Sequence, residues 1–548
     1  MPQITGGEAI YHTLLRLGVR HVFGIPSIHN IPIFDAMKQG GEIHLTVVRN
    51  EQAGAHAADG YYRATGQLGV IIASTGPGTT NTMTGLYEAA FASSKVLLIT
   101  GQVDSIYYGK GKGPGHQADN QVPMLQTVVK SVASPKSTQD IAPSIIRVFS
   151  EMETGKHNPG AIEIPIDLQY QTVDIQIPQP PVILLVAPKE DDIQKTAALL
   201  SGASKRVIIA GGGVVASGAS AALTKLAESL NAPVFTTGNG RGVINDHHPL
   251  CMGSFFTSRP FQEAMTEVET VLAIGTWFQG GPRVWNTPIP GKLIHVDIDP
   301  GKIGLNHKAD IHVIGDALLA INGIHSAMDA KPGDPEFLNA MQSARNKVRK
   351  QLRSRIGPDH EGIMETMRIL SPDEAIFVRD MTIPAYYWAN QLLPIYAPRT
   401  TMTTVSGAIG AGLPLAIGAA TATGKKTVII QGDGGLMVHI GELSTAVQYK
   451  LPMVICVFTD GGYGVLRSIQ NRTFQGRTIG VDLATPNFAT VAKGMGMQAE
   501  RVSSLDGFKT AYKRAMEADG PVLIDIDTSG LKPITGFENP VRFTQPQS

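Results

Sequence analysis

The chain has 548 residues, beyond the roughly 250–300 at which a single hydrophobic core stops growing, so three or four domains are expected and a one-domain protein is excluded. Its 46 Lys+Arg balance 46 Asp+Glu, which leaves no basic field to hold a nucleic-acid backbone or an anionic membrane. Only 17% of residues are charged while 43% are hydrophobic and 60 are glycine, a sparsely solvated surface that points to an obligate oligomer.

Taken in chain order, the N-terminal MPQITGGEAIYHTLLRLG contains a helix-like stretch, EAIYHTLLRLG. It lacks the charged n-region and apolar h-region of a leader. No run of about 18 uncharged apolar residues follows, and the expectation is a soluble cytoplasmic protein. Residues 1–180 alternate helix-like stretches with the apolar runs HVFGI, HLTVV, LGVIIAS, VLLITG and GAIEIPID, the rhythm of an α/β domain with a buried parallel sheet. The Pro-rich PQPPVILLVAPKEDD (178–192) breaks that rhythm and reads as a linker. A second α/β domain is expected over 190–330, through RVIIAGGG, APVFTTGNG, TVLAIGT and KLIHVDIDP. The two cysteines, Cys251 and Cys456, each sit in an apolar stretch and exclude a disulfide framework. From Ala330 to about Gly362 the chain is strongly charged and reads as a solvated helix and connector. A third α/β domain is expected over 363–530, with EAIFVRD, KKTVIIQGDGG, LPMVICVFTDGG and PVLIDID as strands, and 531–548 as a tail. The fold class is therefore α/β, with three doubly wound parallel-sheet domains.

The most informative stretch is GDGGLMVHIGELSTAVQYKLPMVICVFTDGGYG, residues 432–464. A strand runs into Gly432-Asp433-Gly434-Gly435, and a helix is expected from about Met437 to Tyr449. Glycines at a helix start offer backbone N–H groups to a phosphate without Cβ atoms in the way. Asp433 would repel a phosphate unless a divalent cation lay between them, the usual arrangement for Mg²⁺. A second acidic glycine turn, Thr459-Asp460-Gly461-Gly462, follows the next strand, 27 residues after Asp433. Either turn alone would pass as a plain connection; the pair, on adjacent strands, supplies both carboxylates of one hard cation.

On these residues the chain resembles thiamine-diphosphate-dependent enzymes of the acetolactate-synthase-like kind, with further similarity to benzaldehyde lyase and to 2-oxo acid decarboxylases. The resemblance covers nearly the whole chain, in the order pyrimidine-binding domain, central Rossmann-like domain and diphosphate-binding domain. It implies thiamine diphosphate and Mg²⁺ as cofactors, with Asp433, Asp460 and the Gly462 carbonyl as metal ligands and Tyr463 beside them. Many members carry Asn-Asn where this chain has Thr459-Asp460, and the extra charge of Asp460 predicts tighter cation retention. In VRNEQAGAHAADGYYRATG (48–66), Glu51 stands where the family's Glu hydrogen-bonds the aminopyrimidine ring and activates the cofactor. Gly76-Pro77 matches the family's Gly-Pro-Gly turn lining the site. In Gly407-Ala408-Ile409-Gly410, the bulk of Ile409 matches the apolar wedge that bends the cofactor; read without the family, this glycine density is close helix packing. Because the family's Glu reaches a cofactor held by a partner subunit, at least a homodimer is implied, and a homotetramer is the expected assembly.

The reaction is set by fewer residues. His29, in GIPSIHNIPIF, lies on a strand-end loop where benzaldehyde lyase also has a His, which implies a proton shuttle to the substrate oxygen. In GKGKGPGHQADNQ (109–121), His116-Gln117 aligns with the Phe-Gln of acetolactate synthases. Gln117 keeps the family residue; His116 replaces an apolar wall by a titratable group. Ile469 stands where anabolic synthases tend to have a Trp, and IGTWFQGG (274–281) lacks the basic and acidic run that accompanies FAD, so FAD is not expected. Asp380, Thr382 and Tyr386, in VRDMTIPAYYWANQ, line a substrate entrance or else serve helix capping and interface packing. The expected reaction is decarboxylation of a small 2-oxo acid and transfer of the acyl unit to a carbonyl acceptor. The alternatives are an acyloin lyase acting on a 2-hydroxy ketone and a simple 2-oxo acid decarboxylase.

Overall fold

The computed structural model describes residues 3–280, 285 and 288–535. The end of the tail, from 536 on, and Gly281 of the IGTWFQGG run lie outside the described residues. Strands numbered in chain order fall into three groups. In the N-terminal domain they are β1 (Gln3–Thr5), β2 (His21–Gly24), β3 (His44–Val47), β4 (Gly69–Ala73), β5 (Val96–Gln102), β6 (Ser131–Ala133), β7 (Gly160–Pro165) and β8 (Thr172–Asp174). The central domain has β9 (Arg206–Ala210), β10 (Val234–Thr236), β11 (Cys251–Gly253), β12 (Thr270–Ile274), β13 (Lys292–Asp297) and β14 (Ile311–Ile314). The C-terminal domain has β15 (Ile376–Arg379), β16 (Thr401–Thr403), β17 (Thr427–Gly432), β18 (Met453–Thr459), β19 (Gln498–Val502) and β20 (Val522–Asp527).

Each domain builds one six-stranded sheet, in the orders β3-β2-β4-β5-β7-β6, β11-β10-β9-β12-β13-β14 and β16-β15-β17-β18-β20-β19. Every pairing within these sheets is parallel. The fully apolar strands follow from this, since helices cover both faces of such a sheet. The first and third sheets share one topology, while the central order is that of a dinucleotide-binding fold. β1 and β8 pair antiparallel outside the main sheet. Order reverses between β2 and β4 and between β15 and β17, and the crevice outside such a switch point is where α/β sheets place ligands. At the central switch point, β9 beside β12, the glycine loops touch backbone to backbone: a Cβ on Gly213 would lie 2.6 Å from the Gly275 Cα.

The N- and C-terminal domains pack through the helices Glu51–Thr65 and Gly412–Thr423. Small residues let their backbones meet: a Cβ on Gly60 would lie 2.0 Å from the Leu415 carbonyl oxygen, and one on Gly418 1.9 Å from that of Ala57. The charged stretch expected as a solvated helix and connector is the helix Pro335–Leu370, kinked at Gly357-Pro358, but it is not simply solvated, since it buries Phe337, Met341, Ala344, Val348 and Ile356. Its apolar residues recur at helical spacing, but the many Lys and Arg between them mask the stripe. Residues 175–189 form no helix or strand, as a Pro-rich linker requires, but the linker expected over 178–192 ends earlier, because the helix Glu190–Gly202 takes its last three residues. No helix among the described residues is long and apolar enough to cross a membrane.

Candidate active site

Gly432, the last residue of β17, is paired with Phe458 of β18, so Asp433 and Asp460 leave neighbouring strand ends side by side. Asp433 is 1% exposed. Its Oδ1 accepts the Gly434 N–H at 2.9 Å, and its Oδ2 accepts those of Gly461 at 2.8 Å and Gly462 at 3.0 Å and the Thr485 hydroxyl at 3.4 Å. The first acidic turn thereby holds the second in place. Burial raises the Asp433 carboxyl above its ordinary range, and burial together with the Asp433 charge pushes Asp460 up to about 6. The Asp460 Oδ1 atom is buried without a hydrogen-bond partner among the described residues. Arg467 approaches it at 3.7 Å, while donating to the carbonyls of Asp460 at 3.1 Å and Gly461 at 3.0 Å.

Two close carboxylates and one orphaned oxygen make a site short of positive charge, and an oxygen-seeking divalent cation fits that donor set. No group of three or more His, Cys, Asp or Glu that could hold a metal occurs among the described residues. A cation here would need the Gly462 carbonyl and a ligand's oxygens besides the two carboxylates. The glycines leave room for them. Gly461 and Gly462 have φ of 81° and 142°, and a Cβ on Gly464 would fall 1.8 Å from Asp460 Oδ2. On Gly434 it would press the Tyr463 ring at 2.8 Å. The helix expected from Met437 to Tyr449 is two short ones, Asp433–Val438 and Glu442–Gln448. Between them the Nδ1 of His439 lies 2.9 Å from the Gly410 carbonyl, and this contact ties the break to the glycine-rich turn.

Asp380, at the end of β15, anchors that turn from below. Its carboxylate accepts the N–H groups of Gly410 at 3.2 Å and Gly412 at 3.1 Å and the Gln431 amide at 3.0 Å. Asp380 is 1% exposed, so it lines no entrance. Its anchoring leaves Ile409 standing out, 41% exposed, between Gly407 and Gly410, whose φ values are 88° and 83°. Thr382 is buried, and its hydroxyl would meet a Cβ on Gly432 at 3.0 Å.

A second group forms at the β2/β4 switch point. Glu51 begins its helix behind the N-cap Asn50 and accepts the Asn81 amide at 2.9 Å. A Cβ on Gly78 would lie 2.9 Å from the Ser74 Cβ and 3.3 Å from Glu51 Oε1, so one glycine separates Ser74 from Glu51. His29 and His116 meet over Ser74, with their Nδ1 atoms 3.4 and 3.3 Å from its hydroxyl. Burial lowers the pKa of His29, the neighbouring His116 adds to this, and Asp104 opposes it. Gly76 caps the helix from Pro77 to Phe91 with φ of 59°, and its N–H donates to Gln121 Oε1 at 2.9 Å. Gln121 is held in turn by Glu163 at 2.8 Å. Gln117 instead bonds within its own loop, accepting from Gly113 and donating to Asp119 at 2.7 Å each. The sequence points to Gln117 and passes over Ser74 and Gln121; the local trace of Gln121 is its place at the end of the Gly-rich loop 109–121.

Among the described residues, no hydrogen bond or ion pair joins the Glu51 carboxylate to Asp433 or Asp460. Their domains are coupled beside the site, where Glu442 accepts the N–H groups of Arg49 and Asn50 at 2.8 and 3.2 Å.

Comparison with known proteins bears on this arrangement. Residues 4–124, 193–324 and 385–526 match family models described as the N-terminal TPP binding domain, the central domain and the C-terminal TPP binding domain of thiamine pyrophosphate enzymes. The chain is 32% identical to a probable acetolactate synthase large subunit of Methanococcus aeolicus, over 95% of this chain and 92% of the relative. It is 29% identical to an acetolactate synthase of Arthrospira platensis, over 96% of this chain and 94% of the relative. A probable 2-ketoarginine decarboxylase of Pseudomonas aeruginosa is also 29% identical, over 95% of this chain and 94% of the relative.

Proposed function

The chain belongs to the thiamine pyrophosphate enzymes, and we propose that it is a Mg²⁺-dependent member that decarboxylates a small 2-oxo acid and passes the acyl unit to a carbonyl acceptor, as acetolactate synthases do. The observation that carries this reading is the pair of acidic turns, with Asp433 pinned across β17 and β18 and a buried Asp460 oxygen left for a cation. When bound, thiamine diphosphate supplies a stabilised carbanion next to the substrate carbonyl, and Mg²⁺ neutralises its diphosphate.

The chain's own residues bind and orient. Asp433, Asp460 and the Gly462 carbonyl would hold the cation, and the Gly432–Gly435 turn would offer backbone amides to the diphosphate. Glu51 would hold a proton at the aminopyrimidine ring, and Ile409 would press between the two rings from its exposed turn. Gly76 and Pro77 would line the site beside Gly78, on which a Cβ would lie 3.3 Å from Glu51 Oε1. His29 and His116 would give and take protons at the substrate-derived oxygen.

Because the family's Glu reaches a cofactor held by a partner subunit, a complete site would be assembled from two chains, at least a homodimer and in the fuller assembly a homotetramer. Exposed apolar side chains flank both groups, among them Ile28 at 68%, Ile106 at 60%, Val438 at 43% and Leu466 at 50%. Such patches mark surfaces made for contact.

One observation favours a second reading. The two histidines over Ser74 place acid–base groups at the site, His116 where acetolactate synthases carry an apolar Phe and His29 where benzaldehyde lyase also has a His, which suits an acyloin lyase or a simple 2-oxo acid decarboxylase. A thermal-shift titration tests the cofactor: stabilisation that needs both thiamine diphosphate and Mg²⁺ supports the reading, and none sinks it. Products from pyruvate, longer 2-oxo acids and 2-hydroxy ketones, identified by mass spectrometry, then separate carboligase, decarboxylase and lyase.

A further inference from the structure

We propose that Ser74 is a positioning residue that locks His29 and His116 into opposite tautomers, so that the site always offers one imidazole N–H donor and one imidazole acceptor. The inference rests on the proposed function for the identity of the bound substrate, and on geometry for the rest. Both ring atoms that face the Ser74 hydroxyl are Nδ1, at 3.4 and 3.3 Å. The ring centroids lie 5.1 Å apart at a tilt of 38°, and the Ser74 hydroxyl bridges the two Nδ1 atoms. Ser74 is 5% exposed, and these two nitrogens are its hydroxyl's partners among the described residues. A hydroxyl has one proton, so it can donate to one Nδ1 only. Its O–H and the facing nitrogens are all satisfied when it donates to one ring and accepts from the Nδ1–H of the other. The first ring then carries its proton on Nε2, and the second leaves Nε2 bare.

The backbone holds the serine rigidly for this task. Its carbonyl accepts the hydroxyls of Thr79 at 2.9 Å and Thr100 at 3.1 Å. Gly101 lets His29 pack against β5, where a Cβ would fall 2.2 Å from the His29 carbonyl oxygen. His116 takes the left-handed backbone, φ 66°, while its carbonyl accepts the Thr75 hydroxyl at 3.3 Å. A loop residue held in that strained conformation is being aimed.

The arrangement can also move a proton. One enters at the bare Nε2 of the second ring, whose Nδ1 proton passes to Ser74 Oγ. The original Ser74 hydroxyl proton passes to the Nδ1 of the first ring, which releases its Nε2 proton to a substrate oxygen. One proton enters and one leaves, no net charge remains, and the tautomers have exchanged. The charged and titratable groups facing this relay are Glu51 across Gly78 and Asp104 at the loop start. The ligand class that such a pair recognises is a small molecule with a carbonyl oxygen beside a group that must gain or lose a proton.

Nitrogen-15 NMR of histidine-labelled protein tests the tautomers without turnover, with signals assigned by their loss in His29→Gln and His116→Gln. The expected result is one ring protonated at Nδ1 and the other at Nε2 near pH 7.5; two rings of the same tautomer overturn the proposal. For Ser74→Ala, thermal stabilisation by thiamine diphosphate and Mg²⁺ is expected to persist while turnover falls on the order of 10²-fold, with recovery in Ser74→Thr. The proton inventory in mixed H₂O and D₂O is expected to change from curved to linear in Ser74→Ala. Turnover of Ser74→Ala within threefold of the parent, or equal losses in Ala and Thr variants, refutes the relay. If Ser74→Ala does not fold, the NMR result on the parent decides. Failure of the parent to bind thiamine diphosphate would defeat the proposed function instead, leaving the tautomer result to stand or fall by itself.

Discussion

Glu442 Oε1 accepts the backbone N–H of Arg49 at 2.8 Å, a bond from a buried carboxylate of the C-terminal domain to the chain two residues ahead of Glu51. The same oxygen takes the Asn50 N–H at 3.2 Å, and Oε2 takes the Thr445 hydroxyl at 2.6 Å. The C-terminal domain thus sets the start of the helix that presents Glu51. Replacing Glu442 by Ala orphans two amides, each costing about 1–3 kcal/mol. The expected result for Glu442→Ala is a lower urea midpoint and weaker cofactor stabilisation, with partial recovery in Glu442→Gln. An unchanged midpoint would show that the two amides find other partners.

Gly464 touches the candidate metal site only through the atom it lacks. A Cβ there would sit 1.8 Å from Asp460 Oδ2, so Gly464→Ala must displace that carboxylate. The expected outcome is loss of Mg²⁺-dependent stabilisation by thiamine diphosphate, on a protein whose stability without cofactor is little changed. Asp460→Asn keeps the shape but removes a charge, and the Mg²⁺ concentration at half-saturation is expected to rise roughly tenfold, since ligand charge tunes affinity for hard cations. Isothermal titration reads both; an unchanged midpoint for Asp460→Asn would end the charge argument.

Glu51→Gln keeps the size and the contact with Asn81 but not the basicity. The expected outcome is retained thermal stabilisation by the cofactor, with hydrogen–deuterium exchange at its C2 slowed about 10²-fold or more. Exchange at the parent rate, measured by proton NMR, would remove Glu51 from cofactor activation.

Asp59 lies fully buried at the domain interface, 3.6 Å from Arg63, and its carboxyl oxygens have no hydrogen-bond partner among the described residues. Burial pushes its pKa up to about 6, against the ordinary 3.8, despite the opposing pull of Arg63. The folded state therefore prefers the protonated form. Its contribution is full below about pH 4 and is lost as pH rises through about 6, a swing on the order of 3 kcal/mol. Asp59→Asn should be more stable than the parent above pH 6, with the difference closing toward pH 4. Parallel stability profiles for the two proteins would refute this.

Much of the fold was legible because its signals are local. The strands LGVIIAS, VLLITG, TVIIQ and MVICVF are largely apolar runs bounded by charged, Pro or Gly-rich turns, as strands covered on both faces must be. The short edge strands β6, β11, β16 and β19 were missed. Edge strands are half wet, so Thr401–Thr403 and Gln498–Val502 carry polar residues and no apolar run. The paired acidic turns were legible for a related reason: each needs only a strand end, an Asp and glycines, and parallel pairing of consecutive strands brings the two together.

By itself the sequence determined that this is a three-domain α/β protein with two acidic glycine turns and a Glu at a helix start, features written in runs of a few residues. Tertiary structure alone decided which distant side chains meet. Ser74 reaches His29 and His116 from 45 and 42 residues away, and Glu442 reaches Arg49 across 393. It also placed Gln121 rather than Gln117 against the Gly76 turn. Such contacts leave no trace in periodicity or spacing, because what sets them is the crossing of helices and loops over separate sheets, and a side chain's partner is fixed only when those elements have packed.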